Sequence, residues 1–335
     1  MIRADMPVKR ESLREVSDSV VECVGATPLV RLQRLFPHTN VSLYAKLELM
    51  NPGGSMKDRS ALYMIEQAMR EGLVNERTHL IESTSGNLGI GLAMVAKIKG
   101  LRLTCVVDPK ISPANLQLIT DLGAQIEMVT EKDEQGGYLH TRIRRVGQLC
   151  SMQPDTYWIN QYANQWNWQA YYYTAAAEIV EQLRAPIDYL VCAVSTTGSI
   201  LGFARRLRET NPSLKVIAVD AAGSVIFGGK ADKRDIPGIG ASRVPELLSR
   251  EEIDEVIYVN DVESAAGCRT LLQQEGIFAG GSSGSIVAAL GKLLPDLPPE
   301  STIMTVFPDR GERYMDSVYD EQWVARIRQE RGEAI

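Results

Sequence analysis

Short apolar runs alternate with longer amphipathic stretches along most of this chain. Val41–Leu49 alternates apolar and polar positions and predicts a strand, and Arg59–Arg70 carries its apolar residues at helical spacing. His79–Ser83, Leu101–Asp108 and Gln125–Val129 predict further strands. Each is followed by a predicted helix: Asn87–Lys97, then one from Pro113 that stops near Gly123, then Gly137–Ser151. A second series opens at Tyr157-Trp-Ile-Asn and continues through helix Trp168–Arg184, strand Asp188–Val194, helix Gly198–Thr210 and strand Lys215–Asp220. Beyond a glycine-rich loop at Gly223–Ser242 come strand Glu255–Val259, helix Val262–Gln274, a helix after Gly280-Gly281, and a last strand at Thr302–Phe307. Ahead of these, the first twenty residues read as a charged arm or short helix, and Val24–Leu32 as a turn with a short strand. Strand–helix repetition predicts an α/β protein with mostly parallel sheets and crossover helices. The series changes near residues 155–160 without a linker rich in Pro, Ser or charge, which predicts two lobes packed around a cleft.

The turns between these elements carry the chemistry. Asn51-Pro-Gly-Gly-Ser-Met-Lys57 puts a lysine at the start of a helix, just after a tight glycine turn. Helix-start amides disfavour an ammonium there, and a neutral lysine amine can form a Schiff base with a carbonyl cofactor. Alone, Lys57 would read as a solvated loop lysine. Three further turns change that reading. Glu82-Ser-Thr-Ser-Gly-Asn87 offers hydroxyls, backbone amides and a carboxamide suited to a carboxylate. Ser195-Thr-Thr-Gly-Ser199 opens a helix after an apolar strand and makes an anion nest suited to a phosphate. Gly280-Gly-Ser282-Ser-Gly-Ser285 also opens an apolar helix. Each of these could simply cap a helix. Together, a lysine, a phosphate nest and a carboxylate nest describe a pyridoxal phosphate site.

Composition narrows the alternatives. A net charge of −6, with 44% hydrophobic and 23% charged residues, argues against a role spread over nucleic acid or an anionic membrane. No run is long enough to span a membrane, no basic start leads into an apolar stretch, and the chain reads as cytoplasmic. The five cysteines are scattered, and Cys105 and Cys192 fall within apolar strands, so buried thiols are expected rather than disulfides or zinc. His38, His79 and His140 lack metal-ligand spacing, and no metal is expected. There is no GxxxxGK[ST] run, and no GxGxxG follows the first strand with an acidic residue about twenty positions on.

The motifs NPGGSMKDR (51–59), IESTSGNLGI (81–90), VVDPKISP (106–113), WINQYAN (158–164), VSTTGSI (194–200), GSVIFG (223–228), PGIGASRVPE (237–246), EGIFAGGSSGSI (275–286) and PDRGERY (308–314) resemble a known family. It is the fold type II pyridoxal phosphate enzymes of the cysteine synthase and cystathionine β-synthase group, and the resemblance runs over residues 20–320. It implies two three-layer α/β/α lobes with the cofactor between them. Residues 54–157 would form a smaller, moving domain with the substrate carboxylate loop, and 1–53 plus 158–335 a larger domain with the phosphate loop. It further implies a homodimer. Lys57 would carry the internal aldimine, Asn87 would meet the ring hydroxyl, and Ser195, Thr196, Thr197, Gly198 and Ser199 would cradle the phosphate. Ser282 would meet the pyridine nitrogen, giving a weaker electron sink than an aspartate there. Ser83, Thr84, Ser85 and Gln161 would bind the substrate α-carboxylate.

Within the group, the resemblance is to the branch that condenses O-phospho-L-serine with L-glutamate to N-(2-amino-2-carboxyethyl)-L-glutamate. That reaction passes through an aminoacrylate and begins 2,3-diaminopropionate production for the siderophore staphyloferrin B. Typical cysteine synthases carry Gly-Thr-Gly-Gly-Thr as the phosphate loop and Thr-Ser-Gly-Asn-Thr-Gly as the carboxylate loop. Here Ser195-Thr-Thr-Gly-Ser replaces the first, and Leu88 follows the asparagine of the second. A dianionic second substrate needs positive charge that sulfide does not, and Arg142 is a candidate to supply it, with Tyr162 and Ser195 as hydrogen-bonding neighbours. An exposed helical arginine is the alternative. The competing functions are a cysteine synthase using O-acetylserine or O-phosphoserine with sulfide and, more remotely, a non-catalytic pyridoxal phosphate-binding regulator.

Overall fold

The computed structural model describes residues 16–133 and 136–332, so most of the expected N-terminal arm lies outside the described residues. Its ten strands are β1 (Leu29–Arg31), β2 (Ser42–Leu47), β3 (His79–Ser83), β4 (Arg102–Val107), β5 (Gln125–Met128), β6 (Thr156–Trp158), β7 (Tyr189–Ala193), β8 (Lys215–Ala221), β9 (Glu255–Val259) and β10 (Thr302–Phe307). The helices are α1 (Lys57–Arg70), α2 (Asn87–Lys99), α3 (Pro113–Asp121), α4 (Leu139–Met152), α5 (Gln165–Tyr173), α6 (Ala175–Gln182), α7 (Gly198–Arg208), α8 (Asp261–Glu275), α9 (Gly281–Leu293) and α10 (Glu321–Glu330).

The strands form two sheets, one ordered β5-β4-β3-β6 and the other β1-β2-β10-β7-β8-β9. Every pairing is parallel except that of β1 with β2. Parallel strands are covered on both faces, and these apolar runs are buried accordingly: β3 at every position and β4 at all but its first. Side chains then alternate between two cores. In the larger sheet Val191, Ile217 and Val219 pack with Ile286 and Leu290 of α9, whereas Leu190, Cys192 and Ala218 pack with Leu201 and Phe203 of α7. In the smaller sheet Leu80 and Leu103 face Met64 of α1 and Ile90 of α2, while Ile81 and Val106 face Val146 of α4. The result is two three-layer α/β/α lobes.

Four local departures from the sequence reading have identifiable causes. β2 stops at Leu47, because Glu48–Met50 turns into a short 3-10 segment that buries the Glu48 carboxylate against Arg59. The helix expected over 168–184 is broken at Thr174, where ψ of −89° leaves the helical region and the side-chain hydroxyl donates to Ala170 O at 2.5 Å. Tyr157-Trp-Ile, expected to open the second series, contributes β6, which pairs with β3 in the smaller sheet. Finally, α10 was not anticipated; it begins at an N-cap aspartate, Asp320, that accepts from Gln322 N. Cys105, Cys192 and Cys268 are buried free thiols. Among the described residues no helix is long and apolar enough to cross a membrane.

Candidate active site

The lysine turn is built by its glycines and polar side chains. Gly54 sits at φ +82°, a backbone that L side chains rarely adopt, and its N–H donates to Asn51 O at 2.8 Å. Gly53 N–H donates to Asp58 Oδ2 at 2.6 Å, closing the turn from the helix side. α1 then begins at Lys57 itself, whose N–H donates to Ser55 Oγ at 3.2 Å. The Lys57 side chain lines a cavity of about 270 Å³ in the cleft. Removal from water pushes the Lys57 amine below the ordinary lysine range, and the charges of Asp309 and Glu48 oppose that shift. Burial is the leading cause of the depressed amine, where the sequence reading had invoked the helix start.

β3 delivers the next turn to the same cavity. Ser83, Thr84, Ser85 and Asn87 all line it. Thr84 Oγ1 accepts from Gly89 N at 3.1 Å, and Ser83 O accepts from Gln161 Nε2 at 3.4 Å. Ser83 Oγ is buried with no hydrogen-bond partner in the protein. A buried hydroxyl left without a protein partner at the mouth of a helix is what an external carboxylate would satisfy.

The third and fourth turns come from the larger lobe. α7 follows β7 after a short loop, and Ser195 and Thr196 of that loop, together with Ser199 in the first turn of α7, stand on the cavity wall. Ser195 Oγ donates to Gly240 O at 3.1 Å, and Thr196 Oγ1 accepts from Asn167 Nδ2 at 3.2 Å. Thr197 and Gly198 are not on the wall; they set the approach of α7 instead. Thr197 holds φ +63°, strained for a β-branched residue, and its buried hydroxyl has no protein partner. Ser282, the second residue of α9, is buried and lines the cavity opposite.

Arg142 and Tyr162 also reach this cavity. The Arg142 guanidinium lies with Nε 3.3 Å from Asp108 Oδ2 and donates from NH1 to Ser85 Oγ at 3.3 Å. Its side chain is only 13% exposed, so the reading of a solvated helical arginine does not hold. The Arg243 guanidinium stacks over the Tyr162 ring at 5.1 Å, and burial raises the Tyr162 phenol above its ordinary range. The site residues expected from the sequence, Thr197 and Gly198 excepted, thus line this one cavity.

Several site residues were missed. Asp309, Arg313 and Tyr314 line the cavity from the PDRGERY segment, and Lys110 and Asn115 stand on its wall near Arg142. The segment was visible as a motif, yet nothing local says that it folds back onto the lysine turn.

Glu82 underlies the carboxylate turn. It is 1% exposed, and burial raises its carboxyl to about 8, although polar groups of Asn160, Gln161 and Ser83 pull downward. A carboxyl whose folded-state pKa is raised binds its proton more tightly in the native state. Its stabilising contribution is complete below the unfolded value of about 4.5 and is lost as pH rises through about 8. A Glu82→Gln protein should therefore lose less stability than wild type between pH 5 and 8 in urea unfolding; parallel pH profiles for the two would contradict the neutral carboxyl.

The residues present fit pyridoxal phosphate. An enclosed amine of depressed basicity can hold the aldehyde, the α7 mouth with Ser195, Thr196 and Ser199 on the wall can take the phosphate, and Ser282 can face the ring. Comparison with known proteins agrees. A family profile described as "Pyridoxal-phosphate dependent enzyme" matches residues 20–309. An O-acetylserine dependent cystathionine β-synthase from Helicobacter pylori superposes with a TM-score of 0.85 at 33% identity, over 91% of this chain and 99% of that one. A hydrogen sulfide-producing enzyme from Fusobacterium nucleatum gives 0.83 at 32% identity, over 90% and 99%. An O-ureido-L-serine synthase gives 0.83 at 30% identity, over 93% and 100%. The chain therefore belongs to the pyridoxal-phosphate dependent enzyme family and has the fold and cofactor of its cysteine synthase and cystathionine β-synthase members.

Proposed function

We propose that this enzyme is a β-replacement synthase that joins O-phospho-L-serine and L-glutamate into N-(2-amino-2-carboxyethyl)-L-glutamate, with release of phosphate, for 2,3-diaminopropionate and a staphyloferrin B-type siderophore. The observation that carries this reading is Arg142, a largely buried cation on the wall of the cofactor cavity beside Ser85. A guanidinium has five N–H donors, and a glutamate side-chain carboxylate is a natural ligand for those that Asp108 and Ser85 leave free. Sulfide would gain nothing from it.

When bound, pyridoxal phosphate provides the sink for the electron pair left at Cα of the amino acid attached to it. This chain's own groups do the rest. Ser83, Thr84, Ser85 and Gln161 hold the α-carboxylate of the phosphoserine, while Asn87, Ser282 and the 195–199 loop orient the cofactor. Lys57 would take the α-proton, phosphate would leave with the electron pair of the breaking Cβ–O bond, and the glutamate nitrogen would bond to Cβ. Lys57 returns a proton to Cα, and the incoming ammonium loses one to solvent. A neutral Ser282 favours this sequence, in which the electron pair at Cα is discharged quickly. The smaller domain at 54–157 is read as closing over residues 1–53 and 158–335, and the working form as a homodimer, both by analogy with the family.

The test is the absorption spectrum of the purified protein with O-phospho-L-serine. A new visible band should form, then decay when L-glutamate is added, with phosphate released and a glutamate adduct detected by mass. Arg142→Ala should raise KM for glutamate about tenfold or more while sparing band formation with phosphoserine. Discharge by sulfide alone would make the protein a cysteine synthase, and no spectral response to any serine derivative would favour a non-catalytic role.

A further inference from the structure

The Pro308–Tyr314 segment has no part in the reading above, yet it touches the lysine, Asn87 and Ser282 turns. Met56 N–H donates to Pro308 O at 2.8 Å and Arg310 N–H to Gly54 O at 3.2 Å, which ties the segment to the lysine turn. Gly280 N–H donates to Asp309 O at 2.9 Å, which ties it to the start of α9 beside Ser282. A side chain on Gly280 would collide with the Asp309 carboxylate and the Tyr314 ring. Arg313 donates to Gly53 O and to Asn87 Oδ1, joining the lysine turn to the start of α2.

Asp309 is the centre of this clip. It is 1% exposed and lines the cofactor cavity. Its Oδ2 accepts from Asn87 Nδ2 at 2.7 Å and from Tyr314 OH at 2.7 Å, while Oδ1 is buried with no hydrogen-bond partner. A carboxylate can only accept and a guanidinium can only donate. Asp309 on the nitrogen and Arg313 on the oxygen therefore permit one orientation of the Asn87 carboxamide, with its second N–H left for the cofactor. The charged and titratable groups acting on Asp309 are Lys57 from α1, Arg313 and Tyr314 from its own segment, and Cys268 and Tyr319 behind it; Glu48 also acts on Lys57.

We infer that Asp309 is a positioning residue: it fixes the Asn87 carboxamide toward the cofactor and, in its ionised form, sets a negative charge on the cavity wall that it shares with Lys57. The inference rests on Lys57 as the point of cofactor attachment. Burial pushes the Asp309 carboxyl above the ordinary range, against the hydrogen bonds from Tyr314 and Asn87 and the charges of Arg313 and Lys57, which favour the ionised form. An opposite charge beside a protonated nitrogen keeps that nitrogen protonated to higher pH.

The experiment is a pH titration of the visible absorbance of the holoenzyme, in wild type, Asp309→Asn, Asp309→Ala and Lys57→Ala. The asparagine oxygen can keep both hydrogen bonds at the Oδ2 position while the charge is lost. Asp309→Asn should move the titration midpoint down by about one unit or more. Asp309→Ala should move it as far and also weaken pyridoxal phosphate retention about tenfold, since Asn87 is released. Wild-type midpoints in Asp309→Asn, with Lys57→Ala no longer fixing cofactor after borohydride reduction, would overturn the role of Asp309 alone. Lys57→Ala that still fixes cofactor would overturn the attachment point and this inference with it. If Asp309→Ala fails to fold, Asp309→Asn still decides.

Discussion

Lys57→Ala protein is expected to lose β-replacement turnover by roughly 10³-fold or more while still taking up pyridoxal phosphate. The lysine is asked both to hold the cofactor and to move the α-proton, and no other amine lining the cavity stands at the start of α1. Lys110 is also on the wall, but it follows β4 and is exposed to solvent, whereas Lys57 is enclosed at the start of α1. Cofactor uptake should survive because the α7 mouth and Ser282 are untouched by the change. Two measurements check this together: phosphate release from O-phospho-L-serine, and intact mass after borohydride treatment. Wild type should gain the reduced cofactor as a fixed adduct, and Lys57→Ala should not. Turnover within tenfold of wild type would remove Lys57 from the chemistry.

Much of this site could be read in the chain before its fold was known, for a physical reason. Parallel α/β sheets bring the turns after their strands to one edge, so the serine-rich turns after β3 and β7 converge with the lysine turn after β2 without any long-range information. Ser83 ends β3 and Ser195 follows β7, so these two occupy the turn between a strand and its helix, whereas Ser282 opens α9, which follows α8 and not a strand. Asp309 breaks that rule. It lies in a segment that folds back as an isolated bridge onto Ser55, and the pairing is set by tertiary packing rather than by any local pattern. Arg142 is an intermediate case: its helix was predicted, but that the guanidinium turns inward depends on Asp108 at the end of β4. Similarly, periodicity could not show the break at Thr174, because both halves keep an apolar face toward α7.

The second large effect is expected behind the cavity wall, at Arg59, in the first turn of α1. Its guanidinium is 1% exposed and joins Glu48 through Nε at 2.7 Å and Glu178 through NH1 at 2.6 Å. Lys46, fully buried on β2, completes the cluster at 2.7 Å from Glu178, so two cations balance two carboxylates, of which Glu178 alone, at 21% exposure, reaches water. Glu48 also accepts from Thr27 Oγ1 at 2.7 Å and from Asn51 Nδ2 at 2.9 Å, which connects the cluster to the first residue of the lysine turn. Charges this deep contribute little over a well-packed apolar cluster, but removing one partner leaves the others uncompensated. Arg59→Ala should therefore destabilise the protein by about 3–5 kcal/mol, read as a lower urea midpoint. Glu48→Ala in the Arg59→Ala background should recover part of that loss, because the orphaned carboxylate is gone, and the double-mutant cycle isolates the pair. If the second change instead adds its full single-mutant cost, the two side chains do not interact, and the lysine turn is held by its backbone alone.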